Sequence, residues 1–424
     1  MRIKISNGHI INPATRVDRV GDIYIADGKI LSLSDAPDGF KADREIDATD
    51  KLVCPGLVDL CAHLREPGAE NKATIASETS AAVTGGITSI CCPPDTRPVV
   101  DTPAVAELIH QRAAQVNKAR VYTLGAMTFG LAGERLAEMD TLKRAGCVGI
   151  SNALAPIENT EVLRRAMEYA ASCDLTLHLF AEDSHLRNQG VAHEGAVSTR
   201  LGLPGIPETA ETVAVSSALL LIEQTGVRAH FCRLSTGRGV AMIAEAGRRG
   251  LAVSADVGIC HLHLTEMDID GFNSNCHLRP PLRSQRDREM LQQDVADGSI
   301  NAVCSDHQPH DADAKSAPFS LTEPGASTIE LLLPLMLHLV NRKHINLTTA
   351  IAALTINPAR ILGLRAGNID KDMPADICII DTDTAWNVDN AALVSAGKNS
   401  PFHGWELTGR VTHTLCGGIP VFER

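Results

Sequence analysis

Two short stretches carry most of the residues that could do chemistry. Residues 55–68 read PGLVDLCAHLREPG and residues 301–310 read NAVCSDHQPH. In each, an apolar run of strand type gives way to polar groups: Cys61, His63 and Arg65 in the first, Asp306, His307 and His310 in the second. Side chains alternate along a strand, so Cys61 and His63 share a face, and a thiolate and an imidazole there could reach one ion. A small buried Cys beside a polar His would look the same, and the local sequence does not separate the two. Arg65 offers a planar fork that matches a carboxylate bidentately. Asp306 suits a metal ligand or the general base of a hydrolase, and His310, on the loop, suits a substrate contact.

Groups at strand ends need a scaffold that gathers those ends. Ile87–Cys92, Val121–Gly125, Val148–Ser151, Leu175–Phe180, Ala229–Leu234, Ala252–Val257 and Ala302–Ser305 read as buried strands. Amphipathic stretches lie between them, at Asp101–Val116, Asn159–Ser172, Glu208–Gln224 and Gly237–Arg249. Repeated strand-then-helix order implies a parallel sheet. With polar residues after several strands and 424 residues in all, the expectation is an α/β fold whose parallel strands close into a (β/α)8 TIM barrel. Both ends of the chain are richer in strands. Residues 2–6, 22–26 and 29–33 are bounded by turn signals at Asn7-Gly8 and Asp27-Gly28, and Ala375–Asp381, Thr408–Leu415 and Ile419–Phe422 repeat the texture. The expected division is a composite β-sandwich from residues 1–51 and 365–424, around a barrel from 52–364.

A formal charge of −12 without a basic run argues against nucleic acid or an anionic membrane as partner. No apolar run approaches the ~18 residues of a membrane span, and the alternating N-terminus MRIKISNGHIIN is unlike a signal peptide, so a cytoplasmic location is expected. The 12 cysteines lack paired spacing and are expected as buried free thiols.

Beyond these two stretches, the chain carries PPDTRPVVD (93–101), GAMTFGLAGERL (125–136), FAEDSHL (180–186), EGAVSTRLGLPGIP (194–207), LSTGRGV (234–240), RPPLRSQRDRE (279–289), LTINPARILGL (354–364) and GKNSPFHGWELTGRV (397–411). In that order, and over nearly the whole length, they resemble the dihydroorotases and related cyclic amidohydrolases of the amidohydrolase superfamily. The resemblance implies a barrel flanked by a small β-sandwich, with one or two zinc ions and a metal-bound hydroxide that attacks a ring amide. Carried over residue by residue, it also implies losses. The first histidine of the His-x-His pair is Cys61. The bridging lysine or aspartate is missing at Asn152 and Ala153. Two further histidine ligands are replaced by Phe180 and Arg233, so that only His63 and Asp306 remain of the expected metal shell. Among substrate contacts Arg65 and His310 match, whereas Asp95 and Arg279 stand where asparagines are usual, and an acid at 95 opposes an anionic substrate.

Nearby histidines offer little compensation. At ~3.3 Å per residue, His178 lies about 7 Å deeper than Phe180 on the same face, too far to share an ion with bonds of about 2 Å. Regular alternation would turn His230 away from the face of Arg233. His261 and His263 could approach the barrel mouth, but two histidines do not replace four scattered ligands. Arg233 is a fixed positive charge, and at roughly 4–5 Å its repulsion of a dication costs several kcal/mol even at an effective dielectric near 20. The expectation is therefore no cofactor, zinc included, and no catalysis. The resemblance suggests the partner: in some bacteria, inactive chains of this type associate with the catalytic chain of aspartate carbamoyltransferase as a structural subunit of pyrimidine biosynthesis, and a homo- or hetero-oligomer is expected. The alternatives are an active cyclic amidohydrolase with a rearranged mononuclear site of Cys61, His63 and Asp306, and a ligand-binding sensor in which Arg65, His310 and Arg279 contact an anion.

Overall fold

The computed structural model describes all 424 residues. Runs rich in Ile, Val and Thr form strands, because side chains branched at Cβ fit a pleated surface better than a helix. The chain opens with β1 (Arg2–Asn12), β2 (Val17–Ala26), β3 (Lys29–Ser32), β4 (Arg44–Asp47) and β5 (Leu52–Pro55). The turn expected at Asn7-Gly8 is absent. There β1 runs on, with Asn7 at φ 61° in an irregularity of its antiparallel pairing with β2 between Ile5 and Gly8. Asn tolerates the left-handed conformation that either a turn or a bulge can require, so this dipeptide is ambiguous.

The barrel follows as β6 (Leu57–Asp59), β7 (Ile87–Cys92), β8 (Arg120–Ala126), β9 (Gly149–Ser151) and β10 (Leu177–Leu179). After the short pair β11 (Ala192–His193) and β12 (Gly205–Ile206), it continues with β13 (Ala229–Phe231), β14 (Val253–Gly258) and β15 (Ala302–Cys304). The eight barrel strands are hydrogen-bonded in sequence order from β6 to β15, all parallel. Closure is made just past the two outermost strands, where His63 N donates to His307 O at 2.8 Å and His307 N to Cys61 O at 3.2 Å. Asp59, wholly buried on β6, accepts from Ser305 N at 2.9 Å and from the Ser305 hydroxyl. The closed (β/α)8 barrel agrees with the sequence expectation, and the residues singled out for chemistry stand at the closing seam.

Several helices between the strands begin at a capping residue. Thr74 accepts from Ser77 N at 3.1 Å at the start of Ile75–Thr84, and Asn159 from Glu161 N at 2.9 Å at the start of Thr160–Ser172. The chain then returns to the first sheet as β16 (Ile377–Asn387), β17 (Glu406–Cys416) and β18 (Ile419–Glu423), in the order β18-β17-β16-β5-β1-β2-β3, with β4 on β1. Ile3, Ile5, Ile23 and Ile25 share one apolar cluster with Ile377, Ile379 and Leu415. At roughly 1.5–3 kcal/mol for each fully buried aliphatic side chain, this burial is what binds the two chain ends together. All 12 cysteines are free thiols. No helix is long and apolar enough to cross a membrane.

Candidate functional site at the barrel mouth

The backbone at several strand ends leaves the ordinary allowed regions. Arg65 (φ 60°), Ala153 (φ 50°), Arg233 (φ 56°) and Asp306 (φ 46°) are left-handed without being glycine. Such residues cost of order 1–3 kcal/mol each and persist only where their surroundings hold them. At Arg233 the kink has a consequence that alternation misses. His230 is not turned away but lies inside the barrel, with Nε2 2.8 Å from Asp256 Oδ2, and Asp256 Oδ1 accepts from Arg233 N at 2.6 Å.

Arg233 and Asp306 meet across the barrel. The guanidinium Nη1 donates to Asp306 Oδ1 at 3.1 Å, and its Cζ sits 4.9 Å from the centroid of the Phe180 ring. Arg233 is 4% and Asp306 9% exposed. Burial works against the guanidinium charge, but Asp306 beside it keeps it protonated. The same Oδ1 also accepts from Gln308 Nε2 at 3.1 Å and faces Cys61 Sγ at 3.9 Å. Burial pushes the Cys61 thiol well above its ordinary range, so it stands there as neutral S–H.

The other residues of the expected site are also engaged. His63 Nε2 lies 3.1 Å from Asp95 Oδ2. Desolvation opposes the Asp95 charge, yet His63 and Arg65 hold its carboxyl down at about 2. Arg65 Nε donates to Pro309 O at 3.0 Å, and its Nη2 lies 3.2 Å from His310 Nε2. Burial, with Arg65 and Lys72 beside it, drives His310 down to about 2, so it is neutral at any physiological pH. His63, Arg65, Lys72, Asp95, Thr96 and Glu323 line a polar cavity of about 510 Å³. Arg279 does not face that cavity as a second anion contact. Its Nε donates to Glu182 at 2.8 Å and its Nη2 to Leu154 O at 3.1 Å, so its charge is committed. Asn152 is structural: it accepts from Thr128 Oγ1 at 2.8 Å and donates to Leu131 O and Ala155 O. His261 donates to Pro280 O at 3.1 Å, whereas His263 packs against His338, Phe402 and Trp405, away from the mouth. Glu182, Gln308 and Asp256 join the site although residue type and spacing do not single them out; the one sequence signal is that Glu182 and Gln308 lie inside the FAEDSHL and SDHQPH segments.

His178 sits deeper, beside Gly149 of the neighbouring strand. A Cβ at 149 would lie 2.7 Å from its ring Cδ2 and 2.8 Å from Nε2. Gly149→Ala is therefore expected to destabilise the protein by about 1–3 kcal/mol through overpacking, read as a lower urea midpoint at unchanged slope.

A closed parallel barrel with its polar groups at the carboxyl ends of the strands, joined to a sheet built from both termini, defines an amidohydrolase-type chain. L-Hydantoinase (dihydropyrimidinase) from Arthrobacter aurescens superimposes with a TM-score of 0.90 at 25% identity, over 99% of this chain and 96% of that one. The family model described as dihydro-orotase-like matches residues 50–238. A dihydroorotase-like protein of Pseudomonas aeruginosa is 48% identical over 423 residues, covering 100% of both chains, and a dihydroorotase of Anaeromyxobacter dehalogenans is 42% identical over 421 residues, covering 99% of this chain and 97% of its own. The chain belongs to the dihydroorotase-like family.

The residues at the mouth do not fit the zinc that this family implies. A cation on Asp306 would share the carboxylate with a guanidinium that lies 3.1 Å from its Oδ1. Phe180 offers no lone pair, Asn152 is spent on the backbone, and His63 Nε2 is turned to Asp95. His63 Nδ1 is buried without a partner, but a single nitrogen is short of the three protein ligands that hold a catalytic zinc.

Proposed function

We propose that this protein is a non-catalytic dihydroorotase-like chain, kept as the assembly partner of the catalytic chain of aspartate carbamoyltransferase. The observation that carries the non-catalytic part is the Arg233–Asp306 pair lying against Phe180 at the centre of the mouth. Hydrolysis of a ring amide needs an activated water and a base that can take its proton. Asp306 already accepts from Arg233 and Gln308 on one oxygen, so it is held by two donors and not directed at a water. Arg233 places positive charge there without an open coordination position, so it lowers no water pKa as a zinc ion does. The partner rests on resemblance to inactive chains of this type: the barrel and terminal sheet are intact while the losses concentrate at the strand ends.

The second reading, an active cyclic amidohydrolase, is favoured by the relatives named dihydroorotase at 42% identity. One preparation separates the two. Protein purified without chelator is expected to show no dihydroorotate hydrolysis or cyclisation above background, with or without added zinc. Turnover that Asp306→Ala abolishes would refute the non-catalytic reading. Co-expression with the carbamoyltransferase catalytic chain is expected to yield one co-eluting complex on size exclusion; separate elution at micromolar concentrations would overturn the partner assignment.

A further inference from the structure

Below the mouth, His178, His230 and Cys232 converge from adjacent strands. One ligand atom from each lies within 4.8 Å of the others, and His178 Nδ1 is 4.0 Å from Cys232 Sγ. β10 and β13 pair in register through His178 and His230, whose ring centroids are 5.3 Å apart. These three residues lie outside the family's metal shell as carried over above, where the corresponding strand ends bear Phe180 and Arg233.

Neither nitrogen of His178 has a strong partner. Nε2 is buried with none, Nδ1 has only the distant thiol, and the residue is 2% exposed. A buried polar atom without a partner costs roughly 1–3 kcal/mol, so its retention calls for an explanation. His230 is prepared in the opposite way. Ser254 Oγ lies 2.8 Å from its Nδ1 and Asp256 Oδ2 2.8 Å from its Nε2. Whichever nitrogen turns to an ion, the other keeps a hydroxyl or carboxylate that orients the ring, as around metal-bound histidines generally. His178 also lines a cavity of about 190 Å³ with Phe180 and Glu182, and Cys232 is partly exposed.

We propose that His178, His230 and Cys232 form a structural site for one thiophilic d10 cation of the Zn²⁺ type. Burial holds His178 down at about 3, leaving it a neutral lone-pair donor at physiological pH. On binding, the Cys232 thiol gives its proton to solvent, and the thiolate and Asp256 balance the ion. A tetrahedral zinc, with Zn–S about 2.3 Å and Zn–N about 2.0–2.1 Å, spaces its ligands at roughly 3.5 Å, so side chains whose ligand atoms lie within 4.8 Å of one another must draw together by up to about 1.3 Å. The site takes no part in hydrolysis and does not depend on the non-catalytic reading: it would exist beneath an active or an inactive mouth.

The full-length protein, stripped with chelator and titrated with Co²⁺, is expected to bind one equivalent with a thiolate-to-cobalt charge-transfer band that Zn²⁺ abolishes. Cys232→Ser should lose the band, while Cys61→Ser and His63→Ala keep it. Absence of the band, or its loss in Cys61→Ser with retention in Cys232→Ser, would overturn the proposal. Should Cys232→Ser fail to fold, thiol alkylation of the unmodified chain decides: zinc is expected to slow labelling of Cys232 while leaving Cys173 and Cys416 unchanged, and equal Cys232 labelling with and without zinc refutes the site.

Discussion

Asp306→Ala is expected to lower stability by about 3–5 kcal/mol, whereas Asp306→Leu combined with Arg233→Met is expected to be near neutral or stabilising. The asymmetry follows from desolvation. Arg233 is 4% exposed, so removing its carboxylate leaves a guanidinium that can neither reach bulk water nor lose its proton. Phe180, 4.9 Å from Cζ, returns only about 0.5–2 kcal/mol as a cation–π contact. Removing both charges eliminates the unpaired ion and fills the space with apolar volume. Equilibrium urea unfolding of the two variants and the unmodified chain supplies the measurement. A loss below about 1 kcal/mol in Asp306→Ala would mean that solvent screens the pair as it does at a surface, and the electrostatic case against a metal at the mouth would weaken with it.

The second large effect lies at Glu78, in the helix Ile75–Thr84. It is wholly buried, and its oxygens are 2.7 Å from His307 Nε2, 2.7 Å from Ser395 Oγ, 2.7 Å from Ser77 Oγ and 3.1 Å from Ala396 N. One carboxylate thus ties the first barrel helix to the closing seam and to the segment that leads into β17. Burial alone would raise its pKa, but His307 and the hydroxyls outweigh it and hold the carboxyl at about 2, against an ordinary 4.5. A depressed folded pKa stabilises above the unfolded value, and the contribution is lost as pH falls through the folded one. Glu78 therefore contributes about 3 kcal/mol at neutral pH, fading between about pH 4.5 and about pH 2. Glu78→Gln, which resembles the protonated acid in shape and charge, should lose that amount at pH 7 and converge on the parent across this window. Calorimetric or urea midpoints of both proteins at several pH values supply the comparison. A gap that stays constant down to pH 2 would show that hydrogen-bond geometry, and not charge, is what Glu78 supplies.

Much of the architecture was legible in the chain because the signals for it are local. The helix expected at Gly237–Arg249 occurs as Gly237–Arg248, and the strand expected at Ile87–Cys92 has those bounds. Such elements follow from apolar periodicity and caps within about a dozen residues. The replacements at Cys61, Asn152, Ala153, Phe180 and Arg233 were equally visible, since a residue type is a fact of sequence. Asn7-Gly8 is ambiguous in the sequence because a bulge and a turn ask for the same backbone conformation.

What those replaced residues do instead was decided only in three dimensions. Arg233 is 73 positions from the Asp306 that neutralises it, and Arg279 is 97 positions from the Glu182 that commits it. His230 and Arg233 both face the barrel interior because the left-handed backbone at Arg233, past the end of the strand, breaks the alternation between them. His178 and Cys232 came within 4.0 Å because parallel strands 54 residues apart were set side by side. A sequence states which donors, acceptors and charges exist. Which of them are buried together, and hence which must neutralise one another, is set by barrel closure, where the low dielectric makes an unpaired choice too costly to persist.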